Sequence, residues 1–561
     1  MGKNKLFRLL ACMLVFSLAT STITMARTGY REPARNITRI VDTPNPPQIS
    51  VSPAGHHALL VEYTTQLSLE DLAEPQAKLA GIRILTRYNI PRRSYFVQSM
   101  KLLDLTSSQT TAIELPAGAK FGFPTWSPDG KLLAASWYKK GGSEIWVFDP
   151  FKGTGRCITP PRLNSVLIGP SWWSRDSRHL FVPLWPEKRG EPPEAPIIPE
   201  SPEIQETDGR VSQVRTYQDL IQTDHDERLF EYYATSQVYR YDVKTGKGSK
   251  FGKPGLLSHI NTSPDEKYSV VKIIEKPFSR TVPINLFAHR YELWDSSGKF
   301  LKVLAQIPAG EEIPIEGVKE GMRNPFWQKM RPATMCWIEA LDGGDPNRKA
   351  DFRDVIMAHD APFEGNPREV IRLPMRYSGL DHLERENLAL AWDYDRDTRW
   401  IKARVIDMSR SNIASECQIV FSRNYYDQYQ DEGSLVYRMR PDGQTVGIIE
   451  DGDWIYLEGK GATPEGFRPF LVKMNLYTHE KIELFRSGLE AYESFIEFAD
   501  PQHTRIVTAR EDIETPQNYF IRPIEGNRVG SPVALSSFEA PAPELKKVRK
   551  ELIKYERNDG V

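Results

Sequence analysis

An apolar or aromatic residue, a Ser-Pro-Asp-Gly turn or a worn form of it, and then an apolar, β-rich run recur along the chain. The fullest copy is residues 124–135 (PTWSPDGKLLAA); weaker ones stand at 50–55, 171–176, 261–266 and 440–443, with a degraded form at 499–503. Proline presets the first turn position while aspartate and glycine suit the later ones, so each copy predicts a tight hairpin. A second hairpin of different flavour follows most copies, as in 145–153 (IWVFDPFKG), 238–246 (VYRYDVKTG), 292–299 (ELWDSSGK) and 474–480 (MNLYTHE). Two hairpins make four antiparallel strands, which is one blade of a β-propeller. Units of this kind begin near residues 49, 123, 169, 259, 325, 379, 435 and 494. The pattern therefore predicts an all-β chain, a β-propeller of seven or eight four-stranded blades over residues 40–538. Spacing averages roughly 64 residues against the ~40–50 of compact propellers, so several blades must carry insertions.

The pattern changes in three places. Residues 186–206 are rich in proline and glutamate, and 214–233 then place Val214, Tyr217, Leu220 and Ile221 on one helical face. This predicts a helical insertion in the third blade, serving either as a surface cap on a neighbouring blade or as a lid. After a proline-rich break at 539–544, Leu545, Val548 and Leu552 predict a short amphipathic helix, and 553–557 alternates like a strand. Asn558-Asp559-Gly560 is a strong hairpin-turn signal with only Val561 after it. Residues 539–561 thus read as a linker and first strand leading out of the propeller, with 553–561 expected to be loosely held. At the other end, Lys3, Lys5 and Arg8 precede an apolar run over 9–19, with small-residue exits at 17–19 and 24–26. Residues 1–26 are expected to be a signal peptide, since the run falls short of the ~20 apolar residues a membrane span needs. The mature chain is expected in the periplasm or outside the cell.

Composition narrows the partners. With 73 basic and 74 acidic residues the net charge is -1, which argues against nucleic acid or a polybasic membrane contact as the main business. Beyond Cys12, the widely spaced Cys157, Cys336 and Cys417 permit at most one disulfide and carry no metal spacing, so buried packing is expected of all three.

No catalytic apparatus is recognisable, and no catalytic, cofactor or metal residue is assigned. The nearest string to a GxSxG nucleophile elbow, 141–145 (GGSEI), lacks the closing glycine and runs into a strand. There is no HExxH, and His56-His57 are expected on opposite faces of a strand. Residues 459–466 (GKGATPEG) lack the Lys-Ser/Thr ending of a phosphate loop and read as a blade-edge loop. Asp342-Gly343-Gly344-Asp345 lacks the further acidic ligands of a calcium loop and reads as a turn. Asn36 and Asn261 are formal glycan acceptors.

Longer strings carry a resemblance. Residues 72–84 (LAEPQAKLAGIRI), 214–220 (VRTYQDL), 226–233 (DERLFEYY), 321–323 (GMR), 342–345 (DGGD) and 459–466 are similar to the glutamyl endopeptidase-like branch of the prolyl oligopeptidase family, from about residue 40 onward. The resemblance implies an N-terminal propeller that filters peptides for a C-terminal α/β-hydrolase domain carrying Ser, Asp and His. Residues 553–561 look like the entry to that domain, whose catalytic residues have no counterpart in this sequence. The function implied is a substrate-gating, peptide-binding propeller that is not catalytic by itself, with peptides and a separately encoded α/β-hydrolase domain as partners. Two alternatives stand beside it: a self-sufficient periplasmic binding or scaffolding propeller, and an enzyme with an unrecognised site in the central channel.

Overall fold

The computed structural model describes residues 33–198, 216–450 and 452–540, together with 542, 548, 549, 551 and 553–558. The signal-peptide segment lies outside the described residues. The fold is built from antiparallel meanders: four four-stranded sheets, two five-stranded sheets, and a nine-stranded sheet that is two meanders joined by the single pair Val97–Phe121. In the described residues this makes eight successive meanders, whose first strands begin at Gln48, Thr125, Trp172, Leu257, Arg323, Arg376, Ser434 and Tyr492. Each start lies within three residues of the position read from turn spacing, because the turn that defines each repeat directly follows its first strand.

Neighbouring meanders share apolar cores, and the last packs on the first. Val51, Ala58, Leu60 and Leu103 from the first meander form one buried cluster with Val507, Ala509, Tyr519 and Ile521 from the eighth. Tyr519 Oη also donates to the Pro47 carbonyl at 2.8 Å, closing the ring across 472 residues of sequence. Burying the two faces of each sheet against its neighbours is what lets short alternating strands pack without a second layer.

The recurrent turns meet at one face of this ring. Ser127, Ser174 and Ser263 each donate to an aspartate two residues on, at 2.6, 2.5 and 2.7 Å, fixing the turns locally. Each turn then bonds to the next: Ser52 Oγ to Gly130 O at 3.2 Å, Asp129 N to Ser177 Oγ at 3.0 Å, Arg175 N to Glu266 Oε1 at 2.8 Å, and Asp265 N to Pro332 O at 3.0 Å. Gln328 Nε2 to Asn387 Oδ1 at 2.9 Å, Arg385 to Asp453 at 3.1 Å, and His56 N to Ala499 O at 3.0 Å continue the circuit. The opposite face, where the chain enters the first meander and leaves the last, carries the insertions between second and third strands.

Several expectations are corrected. The helix between the second and third strands of the third meander is Asp224–Ala234, not 214–233. Thr223 Oγ1 accepts from Asp226 N at 3.1 Å while the Asp226 carboxylate accepts from Thr223 N at 3.0 Å, a capping box that sets the helix start. Tyr217, Leu220 and Ile221 precede it in irregular chain, with Asp219 at φ +58°. His56 sits in a turn at φ +64° and only His57 begins a strand. Cys157 is exposed on an outer strand, whereas Cys336 is buried, and all three described cysteines are free. Residues 553–557, read from sequence as strand-like but loosely held, are exposed and form no strand. The helix expected around 545–552 falls largely outside the described residues, and Val548 and Arg549, which are described, are not helical.

Candidate functional site at the centre of the ring

The seventh meander breaks the repeat. Its first strand is split into Ser434–Leu435 and Ile449–Glu450, both paired to the strand Trp454–Gly459. Between the halves the chain makes a separate hairpin, Tyr437–Met439 against Thr445–Gly447. The copy Arg440-Pro441-Asp442-Gly443, read from sequence as a blade turn, is the tip of this extra hairpin; the described part of the blade turn itself is 452–453.

The hairpin lies across the ring, at the face where the turns meet. Arg175 Nη1 of the third meander donates to the Asp442 carbonyl at 3.4 Å, and a Cβ on Gly443 would stand 3.3 Å from Pro128 of the second. Lys329 of the fifth donates to the Thr445 carbonyl. Glu384 of the sixth pairs with Arg438 at 2.5 Å and Arg440 at 3.3 Å, and its own N–H donates to Gly447 O at 2.9 Å. Arg438 also donates to the Pro501 carbonyl of the eighth at 3.1 Å. One hairpin is thus bonded to the third, fifth, sixth and eighth meanders and lies close to the second.

Polar groups beside the hairpin are matched. His503 Nδ1 pairs with Glu450 Oε1, while Tyr456 Oη donates to Glu450 Oε2 at 2.6 Å and Lys473 Nζ lies 3.1 Å from it. Burial alone would raise the Glu450 carboxyl, but these three partners overcome it and hold it at about 2. Tyr437 Oη donates to Asp381 at 2.5 Å, and burial with that neighbouring charge pushes the phenol well up.

A second charged cluster lies between the fifth and sixth meanders. Asp342 and Asp354 are fully buried. Asp354 accepts from Arg323, from Arg376 at 2.9 Å and from Tyr377 N at 2.7 Å. Asp342 accepts from Arg376 at 2.6 Å, Arg353 at 2.9 Å and Gly344 N at 3.0 Å. The DGGD string is therefore a turn whose first carboxylate is committed to two guanidiniums. Gly344, at φ +73°, leaves no room for a side chain, because a Cβ would come within 2.0 Å of Val318 O. Residues 459–466 form a small hairpin, Ala462–Thr463 against Gly466–Phe467, between two strands of the seventh meander. Sequence reading missed His503 and the hairpin's role: the histidine sits in a decayed turn, and RPDG is as good a turn for an insertion as for a blade.

No protein-family model matches the chain. A protein of Oryza sativa subsp. japonica described as "Probable glutamyl endopeptidase, chloroplastic" is 32% identical over 570 residues, covering 96% of this chain and 60% of its own length. The Arabidopsis thaliana protein of the same description is 33% identical over 567 residues, covering 95% and 58%. The chain spans about three-fifths of the length of these relatives. Among solved structures, an acylaminoacyl peptidase of Pyrococcus horikoshii overlays with TM-score 0.37 and 12% identity on 90% of this chain and 54% of its own. The β-propeller domain of the trilobed protease of Pyrococcus furiosus gives 0.35 and 12% on 90% and 98%. Overlays this loose carry no part of the assignment, which rests on the sequence relatives. On that ground, and over nearly its whole length, the chain is similar to proteins described as probable glutamyl endopeptidases.

Proposed function

We propose that the eight meanders are the blades of a β-propeller whose centre admits and binds peptides, as the substrate-gating portion of a serine peptidase of the glutamyl endopeptidase kind. By itself this portion does not cleave. The observation that carries the reading is the hairpin at 437–447, clamped by side chains of the surrounding blades. A ring bridged at one face is entered from the other, which is the face bearing the insertions and both chain connections. A narrow blind channel takes an extended peptide and rejects a folded domain, the filtering that a peptidase of broad reach needs. The relatives' description as endopeptidases, across the length shared with this chain, supplies peptides as the ligand class. An α/β-hydrolase portion is the catalytic partner, and residues 1–26 direct export. The test is to purify the chain and measure binding and cleavage of a short labelled peptide, alone and with the hydrolase portion of a relative. Binding without cleavage, and cleavage once the hydrolase is added, is the expected result. Undetectable binding, or turnover by the chain alone, would overturn it.

A further inference from the structure

The fourth meander carries a group of basic side chains that no acid answers. Its first three strands are Leu257–Thr262, Tyr268–Ile274 and His289–Asp295. His259 stands directly opposite Lys272, and Lys272 directly opposite Tyr291, so these side chains leave the sheet on one face. Residues opposed in this way hold their Cβ atoms about 5 Å apart. His289 lies two residues before Tyr291 and shares that face. Lys319, in the connection to the fifth meander, reaches the same place. Its Nζ donates to the carbonyls of Phe287 at 2.8 Å and Pro308 at 3.0 Å, and lies 3.5 Å from His289 Nδ1.

Topology puts this group at one mouth of the ring. The second strand ends at Ile274 and the third begins at His289, so Lys272 and His289 stand near the end where the insertions leave the sheets. His259, on the first strand, is exposed, and Lys272 and Lys319 are half-buried. His289 and Tyr291 are buried, Tyr291 in one apolar cluster with Trp327 and Met335 of the fifth meander. The backbone that holds Lys319 is fixed: Phe287 is fully buried, and its carbonyl also accepts from His289 Nδ1 at 3.0 Å. Donors held this firmly need little ordering when a ligand arrives.

The positive charge is uncompensated. Half-buried lysines elsewhere meet carboxylates, Lys120 at Asp71, Lys139 at Glu144 and Lys473 at Glu450. Neither Lys272 nor Lys319 forms an ion pair with any described residue, and the Lys272 ammonium has no hydrogen bond to one. An ammonium has three donors, so one N–H of Lys319 and all three of Lys272 are left over. Burial, and then the Lys272 charge, pull Lys319 down to about 8. The same two causes lower His259, and with Lys319 they pull His289 down to about 4. Burial lowers Lys272 itself. Cations are gathered here more closely than the neighbouring groups can offset.

We propose that Lys272 and Lys319, with His259 on the channel side, form a binding site for a phosphate group, either the free dianion or the head of a phosphomonoester. A lysine ammonium binds phosphate as a point charge, whereas carboxylates are best matched by the planar fork of a guanidinium. A compact ion with two charges answers both lysines at once, and a single carboxylate would leave one of them unanswered. The proposal is independent of the reading of the ring as a peptide binder.

The experiment titrates the purified chain with inorganic phosphate, glycerol 2-phosphate and glutarate, at neutral pH and constant ionic strength, by calorimetry. Thermal unfolding without ligand verifies that each variant folds. Phosphate is expected to bind at least tenfold tighter than glutarate. Its affinity should fall at least tenfold in Lys272→Met and in Lys319→Gln, and less in His259→Gln. Lys272 meets no acid, so Lys272→Met should melt no lower than the parent without ligand, and its loss of binding is then not a loss of fold. Glycerol 2-phosphate bound as tightly as phosphate assigns the group to a phosphorylated molecule, and weaker binding assigns it to the free ion. No binding of either phosphate overturns the proposal, as does glutarate bound as tightly as phosphate, or an affinity that survives Lys272→Met. An equal loss in Arg372→Gln, on an outer strand, would reveal a diffuse charge effect and overturn it too.

Discussion

Arg175, in a turn of the third meander, donates to the Asp442 carbonyl at the tip of the central hairpin, 267 residues further along the chain, at 3.4 Å. The same guanidinium donates to the carbonyls of Thr262 at 3.2 Å and Ser263 at 3.3 Å in the fourth meander. It therefore joins two neighbouring turns to the element that crosses between them. Arg175→Ala should destabilise the chain by about 2–3 kcal/mol, since it removes charge-assisted bonds and leaves carbonyls short of donors. Arg175→Lys should recover little, because a single ammonium cannot span three carbonyls set around a planar fork. Urea denaturation of the three proteins checks this, and a lysine variant as stable as the parent would show that charge rather than shape matters.

The two buried aspartates between the fifth and sixth meanders should be far more sensitive than any surface pair. Asp354→Ala leaves Arg323 and Arg376, both largely buried, with one carboxylate between them at Asp342. Removing one partner of such a network costs about 3–5 kcal/mol. Removing an exposed partner, as in Glu369→Ala opposite Arg372, should cost below about 1 kcal/mol. Paired thermal melts of the two variants give the contrast.

Much of this architecture was legible because each repeat begins with a turn whose chemistry is local. Ser127, Pro128, Asp129 and Gly130 specify their own hairpin, so the meander starts could be read to within a few residues. What lies between repeats was not legible. RPDG at 440–443 carries the same local signal yet belongs to an inserted hairpin, because only tertiary contacts from Arg175, Lys329 and Glu384 decide where it goes. The helix start was misplaced for a related reason. Apolar spacing at 214–221 suggested a helix, but the Thr223–Asp226 capping box begins it later, and Ile221 is buried from irregular chain instead.

Acid should loosen the centre of the ring through Glu450. In the folded chain its carboxyl sits at about 2, below its ordinary 4.5, so the folded state holds the ionised form more tightly than the unfolded chain does. The stabilisation is fully present above pH ~4.5 and is lost as pH falls from there toward 2. Its ceiling is about 3 kcal/mol. Glu450→Gln should therefore melt below the parent at pH 6, and the gap should narrow to about half as pH is lowered to 3. A gap independent of pH over that range would mean the side chain's shape, not its charge, holds His503, Tyr456 and Lys473.

Gly461 gives the most local prediction, inside the GKGATPEG string that looked at first like a phosphate loop. Its φ is +60°, and a Cβ built there would stand 2.2 Å from the Arg468 carbonyl and 3.0 Å from the Phe470 ring. That carbonyl cannot retreat freely, because it accepts from Arg486 Nη1 at 3.3 Å, while Arg468 N donates back to Gly461 O at 2.8 Å. Both backbone strain and close approach therefore require glycine here. Gly461→Ala should lower stability by about 1–3 kcal/mol. Gly526→Ala, at φ +63° but with nothing within 4 Å of its Cβ, should incur only the strain of the left-handed conformation. Comparing the two by chemical denaturation separates steric clash from conformational cost, and equal losses would place the whole effect of Gly461 in its backbone angle.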